Sequence, residues 1–136
     1  NIIEVKMSIN DTLSNALSNI LRNEELGRSE SRIKPSSKVI KRVLEIMKKN
    51  KYVGDFEEIK SVKGDILKLN LLGNINKCGV IKPRYKVKKD QFEKFEERYL
   101  LAKDMGILIV STPIGIMTHK EAKKKNTGGR LLAYCY

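Results

Sequence analysis

The sequence predicts a mixed α+β protein made of two small lobes, an N-terminal helix-helix-strand lobe and a C-terminal strand-rich lobe with short helices. Apolar residues recur at helical spacing in two stretches of the first half of the 136-residue chain. Apolar runs typical of strands come later and are concentrated in the second half. A segment rich in glycine and asparagine begins at residue 73. We therefore expect lobes at 1–72 and 73–136.

Two amphipathic helices are expected in the first lobe. The first is predicted to begin after an N-cap at Asn10, because apolar residues from Leu13 to Leu21 form one helical stripe. Residues 1–6 have no predicted role. Either Ser36 or Ser37 can cap the second helix. Its predicted buried face consists of Val39, Ile40, Val43, Leu44 and Met47.

Two strands complete the first lobe. Residues 52–59 are rich in the aromatic and β-branched types that favour strands. After a turn at Gly64, Leu67, Leu69 and Leu71 alternate with polar residues, as in a half-buried strand. The second lobe is expected to open with a loop, residues 73–79.

The second lobe is predicted to begin its regular structure with a strand at 81–87, in an edge or irregular position because of Pro83. A short helix capped by Asp90 is expected to end at Tyr99. A buried strand follows within residues 106–112.

A hydroxyl-rich loop is predicted to lead from that strand to the last helix. Thr118 and Glu121 fit a capping box, so this helix is expected to run to about Asn126. Gly128 and Gly129 end it, and a last strand is predicted at 131–136.

Charge is the strongest indication of a partner. The chain carries 28 Lys and Arg against 16 Asp and Glu, a net charge of +12. Self-repulsion of this size does not help folding, so a polyanion is expected: nucleic acid first, an anionic membrane surface second. The excess is larger in the second half. No apolar run is long enough to cross a bilayer, and no membrane partner is expected.

The residues that metal sites and hydrolases need are scarce. Two distant cysteines, Cys78 and Cys135, and one histidine, His119, do not provide an ordinary zinc site or a disulfide framework. Ser111 and Thr112 have no nucleophile-elbow pattern around them, and His119 is expected on the solvent side of a helix start. The sequence therefore predicts a non-enzymatic protein without a cofactor.

The hydroxyl-rich loop is the sharpest candidate binding site. Ser111 and Thr112 offer hydroxyls to phosphates, 2′-hydroxyls and bases, and Gly115 lets a ligand approach the backbone. The helix that begins after Thr118 adds N–H groups that attract phosphate. The alternative interpretation is a plain strand-to-helix turn in which Thr118 only caps the helix.

A second candidate site interleaves basic residues with an aromatic ring. Arg84 can bind phosphate or stack on a base, and Tyr85 can stack, although Tyr85 can equally belong to the core. Lys38 stands beside the serines that cap the second helix, where phosphate can bind. For the lysines of the second and last helices, simple solvation is the alternative.

The whole pattern resembles the S-eight family of universal small-subunit ribosomal proteins. The segments that carry the resemblance include residues 10–17, 34–38, 73–84, 106–112, 115–118 and 128–130. The Asn-Lys-Cys-Gly segment at 76–79 and the Leu-Leu-Ala-Tyr ending resemble the archaeal or eukaryotic type.

The resemblance implies a structural protein of the cytoplasmic ribosome that binds the central domain of small-subunit ribosomal RNA. It also implies neighbouring ribosomal proteins as partners. A translational repressor that binds its own messenger RNA through the same surface is the alternative. Pro113 departs from the family pattern, which usually has a third Ser or Thr there. The candidate RNA-binding residues are Ser111, Thr112, Gly115, Met117, Thr118, Arg84, Tyr85, Lys38, Ser36, Ser37, Asn23, Gly128, Gly129 and Arg130.

Overall fold

The chain divides into two compact units, Asn1–Asn76 and Lys77–Tyr136. The computed structural model describes residues 2–33, 38–60, 62, 64, 66–82, 84–100 and 105–136, with side chains from residue 13 onward. The sequence placed the boundary after Leu72. None of the described helices is both long enough and apolar enough to cross a membrane.

The first helix, α1, spans Ile2–Glu25, so the predicted start after Asn10 is wrong. The apolar spacing of three and four residues continues backwards through Ile9, and no proline or glycine interrupts it. The helix ends in a Schellman motif. Gly27, with φ +71°, donates its N–H to Glu24 O at 3.0 Å, and Arg28 donates to Asn23 O at 2.9 Å.

Unit 1 adds a second helix and a three-stranded antiparallel sheet. The strands are β1, Glu30–Ile33; β2, Val53–Ile59; and β3, Ile66–Leu71, in the order β1-β3-β2. The helix α2 spans Lys38–Lys49 and packs against β2, while α1 contacts β1 and α2. The two predicted strands are confirmed and the short, mostly polar β1 was missed. On α2, Ile46 joins the predicted buried residues, and Val39 is half-buried.

Unit 2 is a five-stranded antiparallel sheet with two helices. Its strands are β4, Cys78–Val80; β5, Lys86–Val87; β6, Ile107–Thr112; β7, Gly115–Thr118; and β8, Gly129–Cys135. The order is β4-β8-β6-β7, and β5 also pairs with β8. The helices are α3, Phe92–Tyr99, and α4, His119–Lys124. The core is built by Phe92, Phe95, Leu108, Val110, Met117 and Leu131, among others.

Several local predictions for unit 2 differ from the structure. Within the strand expected at 81–87, only Lys86–Val87 is a strand, β5, and β4 ends before that range, at Val80. Pro83 has no N–H to donate to a ladder. The strand β4 begins at Cys78, inside the predicted loop at 73–79. Gln91, not Asp90, precedes α3, and no side chain caps that helix. The hydroxyl-rich loop is a tight hairpin whose second strand is β7. The predicted last helix and last strand are both present, as α4, which ends at Lys124, and β8, which begins at Gly129.

The two cysteines, distant in sequence, are neighbours across the β4–β8 ladder. Cys78 and Cys135 lie directly opposite each other and both are buried. Lys77 and Tyr136 beside them exchange both backbone hydrogen bonds, at 3.0 and 2.8 Å. No disulfide joins the two thiols.

Candidate nucleic-acid interface

The hairpin formed by β6 and β7 is organised by the hydroxyl of Thr112. This oxygen donates to Gly115 O at 2.7 Å and accepts from the N–H groups of Ile114 and Gly115, both at 3.2 Å. A hydroxyl has one proton and two lone pairs, so its hydrogen-bonding capacity is filled inside the turn. Gly115 has φ +146°, which an L side chain rarely adopts. The tip, Pro113 and Ile114, projects from the sheet with Ile114 61% exposed.

Beside the hairpin lies an open cleft of about 330 Å³. Ser111 is half-buried at its edge, and no hydrogen bond within the described residues engages its side-chain hydroxyl. The cleft therefore presents a hydroxyl next to backbone and cationic groups. Its lining consists of Lys86, Ser111, Thr112, Pro113, Gly128, Gly129 and Arg130.

The two glycines allow three strands to meet at this cleft. A Cβ on Gly129 would lie 2.2 Å from Ser111 O, and one on Gly128 would lie 2.3 Å from Val87 O. Both contacts are with backbone, which cannot rotate away. Gly128 and Gly129 are thus needed for β8 to approach β5 and β6, whether or not RNA touches them.

Three cations gather where β5 pairs with β8. Lys86 and Arg130 are directly opposite each other in the ladder, and Tyr85 O accepts from the N–H of Leu131 at 3.0 Å. Arg84 precedes this pair. The side chain is partly buried, and its Nη2 atom is buried with no hydrogen-bond partner among the described residues. Burial, and then the charge of Arg130, lower the pKa of Arg84.

Met117, Thr118 and His119 follow the hairpin into the interior. Met117 is 3% exposed and belongs to the core. Thr118 accepts from Glu121 N–H at 3.2 Å, which confirms the predicted cap of α4. His119 is 1% exposed, so its expected place on the solvent side is wrong. His119 follows two buried residues, Met117 and Thr118. Its ring accepts a hydrogen bond from the backbone of Leu108 in β6.

His119 is part of a buried charged cluster. Its Nδ1 accepts from the N–H of Leu108 at 3.0 Å, so the ring proton is on Nε2. Nε2 lies 2.9 Å from Glu96 Oε1 without the alignment of a hydrogen bond. Lys123 pairs with the same carboxylate. Burial lowers the pKa of His119, although Glu96 raises it. Among the described residues, no three His, Cys, Asp or Glu side chains are placed to hold a metal ion.

Tyr85 lies half-buried against the core. Its ring centroid is 5.4 Å from that of Phe95, and the guanidinium of Arg98 is 5.3 Å from the Tyr85 centroid. This placement agrees with the alternative of a core residue. The backbone of Tyr85, rather than its ring, takes part in the β5–β8 pairing at the cleft.

In unit 1, Asn23 is the centre of a polar cluster. It is 6% exposed and donates to Asn19 Oδ1 at 2.7 Å and to Ser31 Oγ at 2.8 Å. Its own oxygen accepts from Arg28 at 3.1 Å. A cavity of about 610 Å³ lies beside it, lined in part by Arg28 and Arg32.

The serines proposed to cap α2, Ser36 and Ser37, lie outside the described residues, and Lys38 is exposed at the start of that helix. The structure thus brings Ser111, Arg130 and the two glycines together in unit 2. Lys86 and Arg28 were missed as site residues. The pairing of Lys86 with Arg130 depends on strand register, for which the sequence carries no local signal.

The chain was also compared with models of known protein families. The family model described as Ribosomal protein S8 matches residues 11–136. The match covers both units and every candidate site residue named above.

Proposed function

The chain belongs to the Ribosomal protein S8 family, and from this premise we propose how it binds RNA. Membership makes it a small-subunit ribosomal protein that binds ribosomal RNA and neighbouring ribosomal proteins, with a structural rather than an enzymatic role. We infer that its target is the central domain of small-subunit ribosomal RNA, in cytoplasmic ribosomes of the archaeal or eukaryotic type. The surface that we assign to this RNA is the cleft beside the β6–β7 hairpin.

The observation that carries the assignment is the Ser111 hydroxyl in that cleft. It stands in the same cleft as the backbone of Gly128 and Gly129 and the positive charge of Arg130. A hydroxyl can donate to a base or phosphate and accept from a 2′-hydroxyl, which distinguishes RNA from DNA. Gly115, beside which a Cβ would meet nothing, lets a nucleotide reach the main chain, and Arg84 and Arg130 supply charge. Gly128 and Gly129 contribute by letting β8 approach β5 and β6.

Four of the candidate RNA-binding residues hold the structure around the cleft in place. Thr112 holds the turn, Met117 anchors β7 in the core, and Thr118 starts α4. Tyr85 fixes β5 against α3. We propose that these four position the cleft rather than contact RNA.

Unit 1 supplies a second set of contacts in this proposal. Asn23 orients Arg28 through its side-chain oxygen. Lys38 provides charge at the start of α2. Ser36 and Ser37, which precede it in the sequence, remain proposed RNA contacts.

The test is the affinity of the full chain for a central-domain RNA fragment and for a fragment of another ribosomal RNA domain. Ser111→Ala should weaken the first by about threefold to tenfold, which corresponds to one hydrogen bond, and the second much less. Ser18→Ala, at an exposed position on α1, is the matched control. Equal affinity of the wild-type protein for both fragments would refute the central-domain assignment.

A messenger RNA that folds like the ribosomal site would occupy the same cleft. We propose this repressor activity as the second function. A messenger encoding this chain should compete with the central-domain fragment, and Ser111→Ala should weaken both complexes in parallel. Independent binding of the two RNAs would contradict a shared surface.

A further inference from the structure

The two cysteines of the sequence lie near the two ends of unit 2. Cys78 is the first residue of β4 and Cys135 is the last residue of β8. The fold places them directly opposite each other in the β4–β8 ladder, and both are present as thiols. Side chains that are directly opposite in a ladder lie on the same face of the sheet. The two thiol side chains are therefore neighbours.

The hydrogen-bond register of the ladder brings the two cysteines as close as such a pair can be. The preceding pair, Lys77 and Tyr136, exchanges both of its backbone hydrogen bonds. Hydrogen-bonded and non-hydrogen-bonded pairs alternate along an antiparallel ladder, so Cys78 and Cys135 form a non-hydrogen-bonded pair. The Cα atoms of such a pair are about 4.5 Å apart. Disulfides span roughly 4.4–6.8 Å between Cα atoms, so this register permits one.

The position of β4 gives an oxidant access to the thiols. Both side chains are shielded in the closed ladder, with Cys78 4% and Cys135 1% exposed. Within the described residues, β4 has three residues, lies at the edge of the sheet and pairs only with β8. Few contacts hold so short an edge strand, and it opens more readily than a central one. An opening of β4 exposes Cys78 while β8 stays paired with β6.

We propose that Cys78 and Cys135 are a redox-sensitive pair that forms a reversible cross-strand disulfide and so links the first strand of unit 2 to the last. The proposal does not depend on the proposed function, because it rests only on the β4–β8 ladder and the two thiols.

The oxidant in this proposal is a small-molecule disulfide such as oxidised glutathione. The Cys78 thiolate attacks one of its sulfur atoms, which forms a mixed disulfide and releases one glutathione. As β4 pairs again, the Cys135 thiolate attacks the Cys78 sulfur, the mixed disulfide breaks, and the second glutathione leaves. The two protein thiols lose two electrons and two protons, and one glutathione disulfide gains them. Excess reduced glutathione reverses both steps.

The disulfide would close a loop over residues 78–135, which is nearly all of unit 2. A link of this kind restricts the unfolded chain, and its stabilising effect grows with the length of the loop. The RNA cleft lies at the other end of β8. From Arg130 to Cys135 the strand covers about 17 Å at roughly 3.3 Å per residue. Oxidation should therefore stabilise unit 2 and leave the cleft unchanged.

The experiment compares the wild-type chain with Cys78→Ala and Cys135→Ala. Each protein is incubated with oxidised glutathione in the absence of denaturant. Remaining thiols are then alkylated in denaturant, and the mass of the intact chain is measured. The wild-type chain should lose two hydrogen atoms and take up no alkyl group, and dithiothreitol should restore both thiols. Each variant has one thiol, which should carry either one glutathione or one alkyl group.

Thermal unfolding measures the effect of the link. The Tm of the oxidised wild-type protein should be about 10 °C or more above that of the reduced protein. Neither variant should gain Tm on the same treatment. Each comparison is between two redox states of one protein, so a loss of stability from the substitution itself does not affect it.

Three results would overturn the proposal. The first is a native wild-type chain that ends with glutathione on its cysteines or as disulfide-linked dimers. The second is a link that forms only in urea, since the native register would then not bring the thiols together. The third is an intrachain link that does not raise the Tm. Oxidised and reduced wild-type protein should also bind central-domain RNA with equal affinity to within about twofold, and a larger loss would contradict the separation of the link from the cleft.

Discussion

The hydroxyls of Ser111 and Thr112 are adjacent in sequence but have different surroundings. Thr112 is buried, and its oxygen makes three hydrogen bonds within the turn. Ser111 is half-buried and lines the cleft. Loss of the first hydroxyl leaves two backbone N–H groups of the turn without their acceptor, whereas loss of the second removes a group that faces the cleft.

Thr112→Val should therefore lower the free energy of unfolding by about 1–3 kcal/mol. Ser111→Ala should change it by no more than about 0.5 kcal/mol. Urea denaturation of the two variants measures both. Equal destabilisation by the two changes would show that Ser111, too, is structural, and its effect on RNA affinity would then need another explanation.

The buried ring of His119 makes stability depend on pH. Burial lowers its pKa in the folded state below the ordinary value of 6.5. The unfolded chain consequently binds a proton first as the pH falls through 6.5, and this favours unfolding. The neighbouring charges are Glu96, which opposes the shift, and Lys123 and Lys120, which add to it.

From this shift we expect stability that is fully present above pH 6.5 and declines as the pH falls below it. The slope is at most about 1.4 kcal/mol per pH unit for one proton. The comparison is with His119→Asn, whose side-chain oxygen can still accept from Leu108 N–H but does not titrate. Between pH 7 and 5 the wild-type protein should lose more stability than this variant. Parallel curves would remove His119 as the titrating group.

The helices and strands differ in how far local sequence determines them. The strands β3 and β6 and the helix α2 were predicted correctly, because each shows its own apolar periodicity. The strands β1, β4 and β5 have four, three and two residues and are defined by their partners. Pairing between distant segments, such as β4 with β8, has no local signal that a single sequence shows.

Gly128 and Gly129, at the start of β8, are needed for this strand to pack against β5 and β6. The sequence alone indicated only a turn at this point. Gly129→Ala places a Cβ 2.2 Å from Ser111 O, and the backbone of β6 must move. We expect a loss of about 3 kcal/mol or more in the free energy of unfolding.

Gly27→Ala is the control for that substitution. Its φ is +71° but no atom lies within 4 Å of the new Cβ, so only the backbone strain of about 1–2 kcal/mol applies. Chemical denaturation of both variants gives the comparison. Equal losses would mean that β6 and β8 tolerate separation at this point.

Over the whole chain, the chemistry of the interface was predictable and its geometry was not. The net charge, the hydroxyl-rich segment and Arg84 were all visible in the sequence. The sequence did not show that the Thr112 hydroxyl makes its hydrogen bonds within its own turn. It also did not show that His119 is buried or that Lys86 lies opposite Arg130. These facts depend on a two-residue turn and on the register of two short strand pairs.

The distribution of charge leads to a prediction about salt. Unit 1 carries 14 Lys and Arg against 10 Asp and Glu, and unit 2 carries 14 against 6. If several of these cations neutralise phosphates, the logarithm of RNA affinity should fall linearly with the logarithm of salt concentration, with a slope of several units.

Two kinds of variant should change this plot of log affinity against log salt concentration in different ways. Ser111→Ala removes no charge, so its line should be displaced to lower affinity at an unchanged slope. Arg130→Gln removes one phosphate contact, so its slope should be smaller by roughly one unit. Lys94→Gln should leave both slope and position nearly unchanged, because α3 has no assigned RNA contact. Titrations at four or more salt concentrations resolve these differences. A flat line for the wild-type protein would refute the electrostatic account, and a reduced slope in Ser111→Ala would show that this hydroxyl supports a phosphate contact instead of reading a nucleotide.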